Sequence, residues 1–132
     1  MRYSLFTFTL YCLCVTTANA QWYSSETNNN FIHNDASAKK AIWSLYDSLQ
    51  YGKPFATLAL RYSQDPTSYR DGGTAKPILI NDLVKEFQDV VRQLHVGQLS
   101  RPFKHEYGYS IIQLLEREDD TCLFRSILLR TD

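Results

Sequence analysis

Few side chains in this sequence are placed to do chemistry, and they stand far apart. Asp65 lies in YSQDPTS, just before a proline, and Leu83 and Phe87 stand four apart in DLVKEF. His105, Tyr107 and Ser110 share the run HEYGYSII, and Ser126 lies in LFRSILLR. Spacing of i, i+4 puts Leu83 and Phe87 on one helix face, where they could form an apolar pocket. A core-facing helix has the same spacing, so a purely structural role stands beside that one. Asp65 can serve as a hydrogen-bonding carboxylate in a site, and equally as a turn or cap residue before Pro66. Ser110 and Ser126 offer hydroxyls that can donate and accept.

Other chemistries lack their residues. His33, His95 and His105 share no metal-ligand spacing with one another or with the acids. There is no Gly-rich phosphate loop and no nucleophile elbow. The expectation is therefore no metal and no cofactor. Cys122 has no histidine near it in sequence and reads as a strand residue, not a nucleophile. His95 falls near a predicted helix C-terminus, where a cation is favoured, and reads as structural.

The elements that must position these residues follow from periodicity. Ala38, Ala41, Ile42, Leu45 and Leu49 recur at helical spacing, with Asn34 or Asp35 as N-cap and Gly52 and Pro54 as the stop. A short helix covers Phe55 to Tyr62, with Phe55, Leu58, Ala59 and Tyr62 on one side. Ser63 to Gly73 is a loop marked by Asp-Pro and Gly-Gly, and Ile78 to Ile80 a short strand. The next helix starts near Asn81 or Asp82 and ends before Gly97, with Leu83, Val84, Phe87, Val90, Val91 and Leu94 on its apolar face. Phe103 to Tyr107 is extended. Tyr109 to Glu116 and Cys122 to Leu129 are β-rich runs that pair as a hairpin through Glu118-Asp119-Asp120.

Composition bounds the setting. Residues 1–20 read as a secretory signal peptide: Arg2, an apolar run from Leu5 to Val15, and Ala18-Asn19-Ala20 as the cleavage site. That run is too short to span a membrane, so stable membrane insertion is not expected. Cleavage of 20 of the 132 residues leaves 112, enough for one domain. Residues 21–34 are polar and aperiodic and read as a flexible arm; residues 35–132 form the domain. Only Arg2 of the 14 basic residues falls in the leader, so the remainder carries 13 against 14 acidic ones. That balance gives no support for a nucleic-acid partner. Cys122 is the one cysteine left after cleavage, so no internal disulfide is expected and the core must hold the domain together.

Three landmarks stand in register over about half the chain: YSQDPTS followed by Gly72-Gly73, an amphipathic segment closed by HVGQLSRPF, and YGYSII. In this the chain resembles the parvulin-type (PpiC, rotamase) peptidyl-prolyl isomerases, in particular the degenerate parvulin domains of SurA-like envelope chaperones. The resemblance implies an α+β domain with a four-stranded antiparallel sheet and surrounding helices. It places the catalytic cluster, two histidines plus an Asp or Cys, on Ser110, Ser126 and Asp65. Both histidines are thus replaced by serine, and the cluster reads as lost as a unit. The substrate groove falls on Leu83, Phe87, Ala75, His105 and Tyr107. After the glycine pair the family has Leu-Gly and an aromatic, where this chain has Thr74-Ala75-Lys76-Pro77.

The family's first strand reads like RHILL and precedes the helices; nothing before Asp35 matches it. Phe124 to Arg130 does, at the opposite end. Either the chain is a truncated two-parvulin chaperone whose second domain has just begun, or the domain is permuted. In both cases the terminal strand is expected to fill the vacant first-strand slot. Three functions follow: an exported module that binds unfolded or proline-containing clients with weak or absent catalysis, an active isomerase of Xaa-Pro bonds, or a remnant. An exported protein of this kind would be periplasmic or secreted. The sequence does not fix the oligomeric state.

Overall fold

The computed structural model describes residues 32–132. The proposed signal peptide, its cleavage site at Ala20 and residues 21–31 of the arm lie outside them. Helix α1, Asp35–Gln50, is capped by Asn34, whose side chain accepts from the Ser37 amide at 2.8 Å. Gly52, at φ 95°, ends it in the left-handed region that glycine tolerates best. Helix α2, Phe55–Tyr62, buries Phe55, Leu58 and Ala59. Tyr62, expected on the same side, is 42% exposed.

Four antiparallel strands follow: β1 Ile78–Leu79, β2 Phe103–His105, β3 Gly108–Glu118 and β4 Thr121–Arg130, in the spatial order β1-β4-β3-β2. The sheet alternates strictly between two cores. Tyr109, Ile111, Ile127 and Leu129 face α1 and α2, packing with Ala38, Ile42, Leu45 and Phe55. Ile112, Leu114, Cys122 and Phe124 face the other way, with Val91 and Leu94 from the region of helix α3, Lys85–Gln93. Cys122 is a buried strand residue whose thiol burial pushes up in pKa, which disfavours the nucleophilic thiolate.

The helix expected from Asn81 to before Gly97 is shorter. Ile80–Asp82 is a 3-10 turn, and Leu83 and Val84 are extended at ψ 153°. The Gln88 side chain donates to the Leu83 carbonyl at 2.7 Å, which gives that oxygen a partner outside a helix. Leu94 is extended as well, and the Arg117 guanidinium donates to the Val91 carbonyl at the helix end. The strand expected over Ile78 to Ile80 likewise loses Ile80 to the turn.

The C-terminal strand lies antiparallel beside β3, as expected of it, and takes an interior position in the sheet. β3 and β4 pair from Gly108↔Arg130 to Glu118↔Thr121 through a tight Asp119-Asp120 connection, with a bulge between Leu114 and Glu116. The other edge of β4 is satisfied piecewise. β1 pairs with Thr121 and Cys122; Ala75 N–H donates to the Phe124 carbonyl (3.1 Å), Ser126 N–H to Gly73 (2.8 Å), and Gln64 N–H to Leu128 (2.7 Å). His33, at the end of the segment read as an arm, bridges Thr131 in parallel. An edge that would otherwise expose unpaired backbone groups is thereby covered. Gly73 permits this approach: at φ 85°, an added Cβ would lie 2.4 Å from the Ser126 carbonyl oxygen. No helix among the described residues is long and apolar enough to cross a membrane.

Candidate functional site

The site lies on the sheet face that carries α3. Strand β2 pairs with β3 as Phe103↔Ser110 and His105↔Gly108. Alternation therefore sends Phe103 and His105 to the same face as Ser110, while Lys104 points the other way, to Asp35 at 2.6 Å. His105 and Ser110 are diagonal neighbours, a separation that a ring can span. The His105 Nε2 lies 2.7 Å from the Ser110 Oγ. Ser110 is fully buried and His105 is 7% exposed.

The tautomer follows from the partners. The Tyr107 amide donates to His105 Nδ1 at 3.3 Å, so Nδ1 is an acceptor and Nε2 carries the proton toward Ser110. Burial lowers the His105 pKa and outweighs the raising effect of Glu86, so the ring is held neutral. Aromatic rings enclose it. Phe87 stands 5.0 Å from both His105 and Phe103, edge to face, and 5.9 Å from Phe124. Tyr107, half exposed, stands 6.1 Å from His105. Leu83 is half-buried against the same apolar cluster.

The structure thus brings together Leu83, Phe87, His105, Tyr107 and Ser110. Ser126 shares their face as well: it stands opposite Ile112 while Ser110 stands opposite Leu128, so the two serines are diagonal neighbours across β3 and β4. Asp65 has a local role. Its Oδ1 accepts from the Thr67 amide and hydroxyl at 3.0 and 2.8 Å, and its Oδ2 from the buried Ser68 hydroxyl at 2.6 Å. These bonds shape the loop that delivers Gly73 to β4, the turn role that the sequence leaves open. Ala75 lies on the outer edge of β4, bonded to Phe124 through its backbone. Phe103 and Phe124 belong to the site and were not singled out from the sequence. Their signal was strand alternation, since each stands two residues from a site residue, His105 or Ser126.

Chemically, this is an apolar, aromatic surface around a neutral imidazole–hydroxyl pair. It suits an apolar ring next to a neutral polar group. The Ser110 hydroxyl is shut off from solvent, which argues against a nucleophile. Among the described residues no three His, Cys, Asp or Glu side chains converge as metal ligands.

Comparisons with known proteins bear on this geometry. Residues 26–116 match the sequence profile of the rotamase family, the PPIC-type PPIase domain. Over 86 residues the chain is 41% identical to Chaperone SurA of Pseudomonas fluorescens, which covers 65% of this chain and 20% of that protein. Over 81 residues it is 40% identical to Foldase protein PrsA 4 of Bacillus cereus, covering 61% and 29%. The crystal structure of the peptidylprolyl isomerase PrsA from Bacillus cereus matches with a TM-score of 0.57 at 38% identity, over 67% of this chain and 33% of that one. The chain spans a fifth to a third of the length of these relatives.

Proposed function

This chain belongs to the PPIC-type rotamase family, and from that premise we propose that it binds proline-containing segments of unfolded exported proteins and isomerises their Xaa-Pro bonds slowly. The carrying observation is the half-buried apolar surface of Leu83, Phe87 and Phe103 beside a neutral His105. Rotation about an Xaa-Pro bond makes and breaks no covalent bond. Its barrier, about 18–20 kcal/mol of lost amide resonance in general, is lowered by a surface that grips the proline ring and favours the twisted amide. An aromatic floor supplies the grip. The serines at 110 and 126 in place of histidines account for slow catalysis. The signal-peptide pattern of residues 1–20 supports export, with the protein acting in the periplasm or outside the cell.

The experiment is a titration of the chain with a short Xaa-Pro peptide, followed by NMR. Shifts centred on Phe87, Phe103, His105 and Tyr107, with faint cis–trans exchange peaks of the bound peptide, are expected. A folded chain showing no shift at these residues up to millimolar peptide would refute the reading.

A further inference from the structure

The family resemblance places an imidazole at position 110, where this chain has a serine, yet an imidazole stands in the site. We propose that His105 is the working imidazole of this site: a positioning residue on β2 whose hydrogen bond to Ser110 on β3 orients the floor under the proline. This inference rests on the proline-site reading above.

Three observations carry it. The first is register. Positions 105 and 110 form one diagonal pair across β2 and β3, on one face, so ring and hydroxyl can stand on either strand and still meet. Their bond, 2.7 Å and buried, is the polar contact at the centre of an otherwise aromatic surface. The second is orientation. Tyr107 N–H at Nδ1 and Ser110 Oγ at Nε2 hold both ring nitrogens, which fixes the tautomer and the plane of the ring. The third is placement. Phe87, Phe103 and the half-exposed Tyr107 all stand within 6.1 Å of the ring, centroid to centroid. The remaining histidines lie elsewhere: His33 beside Ser37 and Thr131, and His95 in the exposed turn after α3.

Ser110 is fully buried with its hydroxyl 2.7 Å from the His105 ring, so a second ring at 110 while His105 remains overfills the site, and Ser110→His alone harms it. Exchanging the two residues keeps one ring and one hydroxyl.

The test compares the full chain with His105→Ser, Ser110→His and the double exchange His105→Ser/Ser110→His. For each, peptide affinity is measured by NMR titration and the exchange rate of saturated Xaa-Pro peptide by exchange spectroscopy. Each single variant should lose about tenfold in exchange rate, the loss expected of one ordinary hydrogen bond. Affinity should change less than about threefold, since the apolar contacts remain. The double exchange should return the rate to within about threefold of the parent. His105→Gln, which keeps a donor but no ring, stands in for His105→Ser if that variant fails to fold, and should lose the rate too. An unchanged rate in the His105 variant, a folded double exchange as slow as the single variants, or a parent that binds without accelerating overturns the role of His105. A parent that shows no shift at the site refutes the proline-site reading, and this inference with it.

Discussion

At the scale of single residues, His105 has two neighbours on its ring nitrogens and burial against its charge. Glu86, from α3, favours the charged ring, but desolvation outweighs it. Lys104 and Asp35 pair on the opposite face of the sheet. The folded pKa is thus lowered below the ordinary histidine value of about 6.5. The unfolded chain takes up a proton there that the folded chain refuses, so stability is retained above about pH 6.5 and lost as the pH falls toward the lowered folded value. Melting followed from about pH 7 to about pH 5 should show a steeper loss in the parent than in His105→Gln. Asp35, whose carboxyl Lys104 holds below the usual carboxylate range, contributes equally to both chains and cancels in the comparison. Identical slopes would show that the ring accepts its proton in the folded state. Asp65 shows where residue types run out of information: a carboxylate before proline serves a site or a turn equally well, and its bonds to Thr67 and Ser68, which are those of a turn, follow from no residue pattern. The His105–Ser110 bond was hidden for a related reason. Pairing across a diagonal depends on the register of β2 against β3, which a three-residue strand does not fix by pattern.

Among the elements, β4 has most at stake. It is an interior strand, bonded to β3 along its length and to β1, Ala75, Gly73 and Gln64 on its other edge. It buries Cys122, Phe124, Ile127 and Leu129 in two cores. Each large apolar side chain so buried contributes about 1.5–3 kcal/mol, which together rivals the roughly 5–15 kcal/mol net stability of a typical domain. Removal of residues 122–132 should therefore abolish the cooperative thermal transition, as read by circular dichroism; melting like that of the full chain would mean that β4 is dispensable. This hairpin was legible because two β-rich runs flank a short polar turn. The limits of α3 were not, because Leu83, Val84 and Leu94 fit the helical period while their backbone is extended. Side-chain bonds from Gln88 and Arg117 close the helix at either end, and apolar spacing carries no trace of them. The matching RHILL-like run at Phe124 to Arg130 was legible as a strand, and its place beside β3 followed from the short turn.

For the whole molecule, the division of labour follows the two faces of the sheet. One face is sealed by α1 and α2, with Ile42, Ile111 and Ile127 fully buried. The other is covered by the short α3 and leaves Leu83, Phe87 and Phe103 half-buried beside the exposed Val84 and Tyr107. Acidic and basic residues balance at 14 each, so no net field draws a charged client toward the surface. On the proposed function, client capture through this face is chiefly a matter of apolar burial. Such contacts respond little to ionic strength, whereas attraction between exposed charges is screened within about 10 Å at 0.1 M salt. Affinity for a neutral Xaa-Pro peptide, measured by calorimetry, should change less than about threefold between 50 and 500 mM salt, with a negative heat-capacity change on binding. Phe87→Ala should weaken the same peptide by about tenfold or more, since a half-buried aromatic contributes upward of about 1.5 kcal/mol to a contact of this kind. A steep loss of affinity with salt, together with indifference to Phe87→Ala, would move the binding surface off this face and onto the charged exterior.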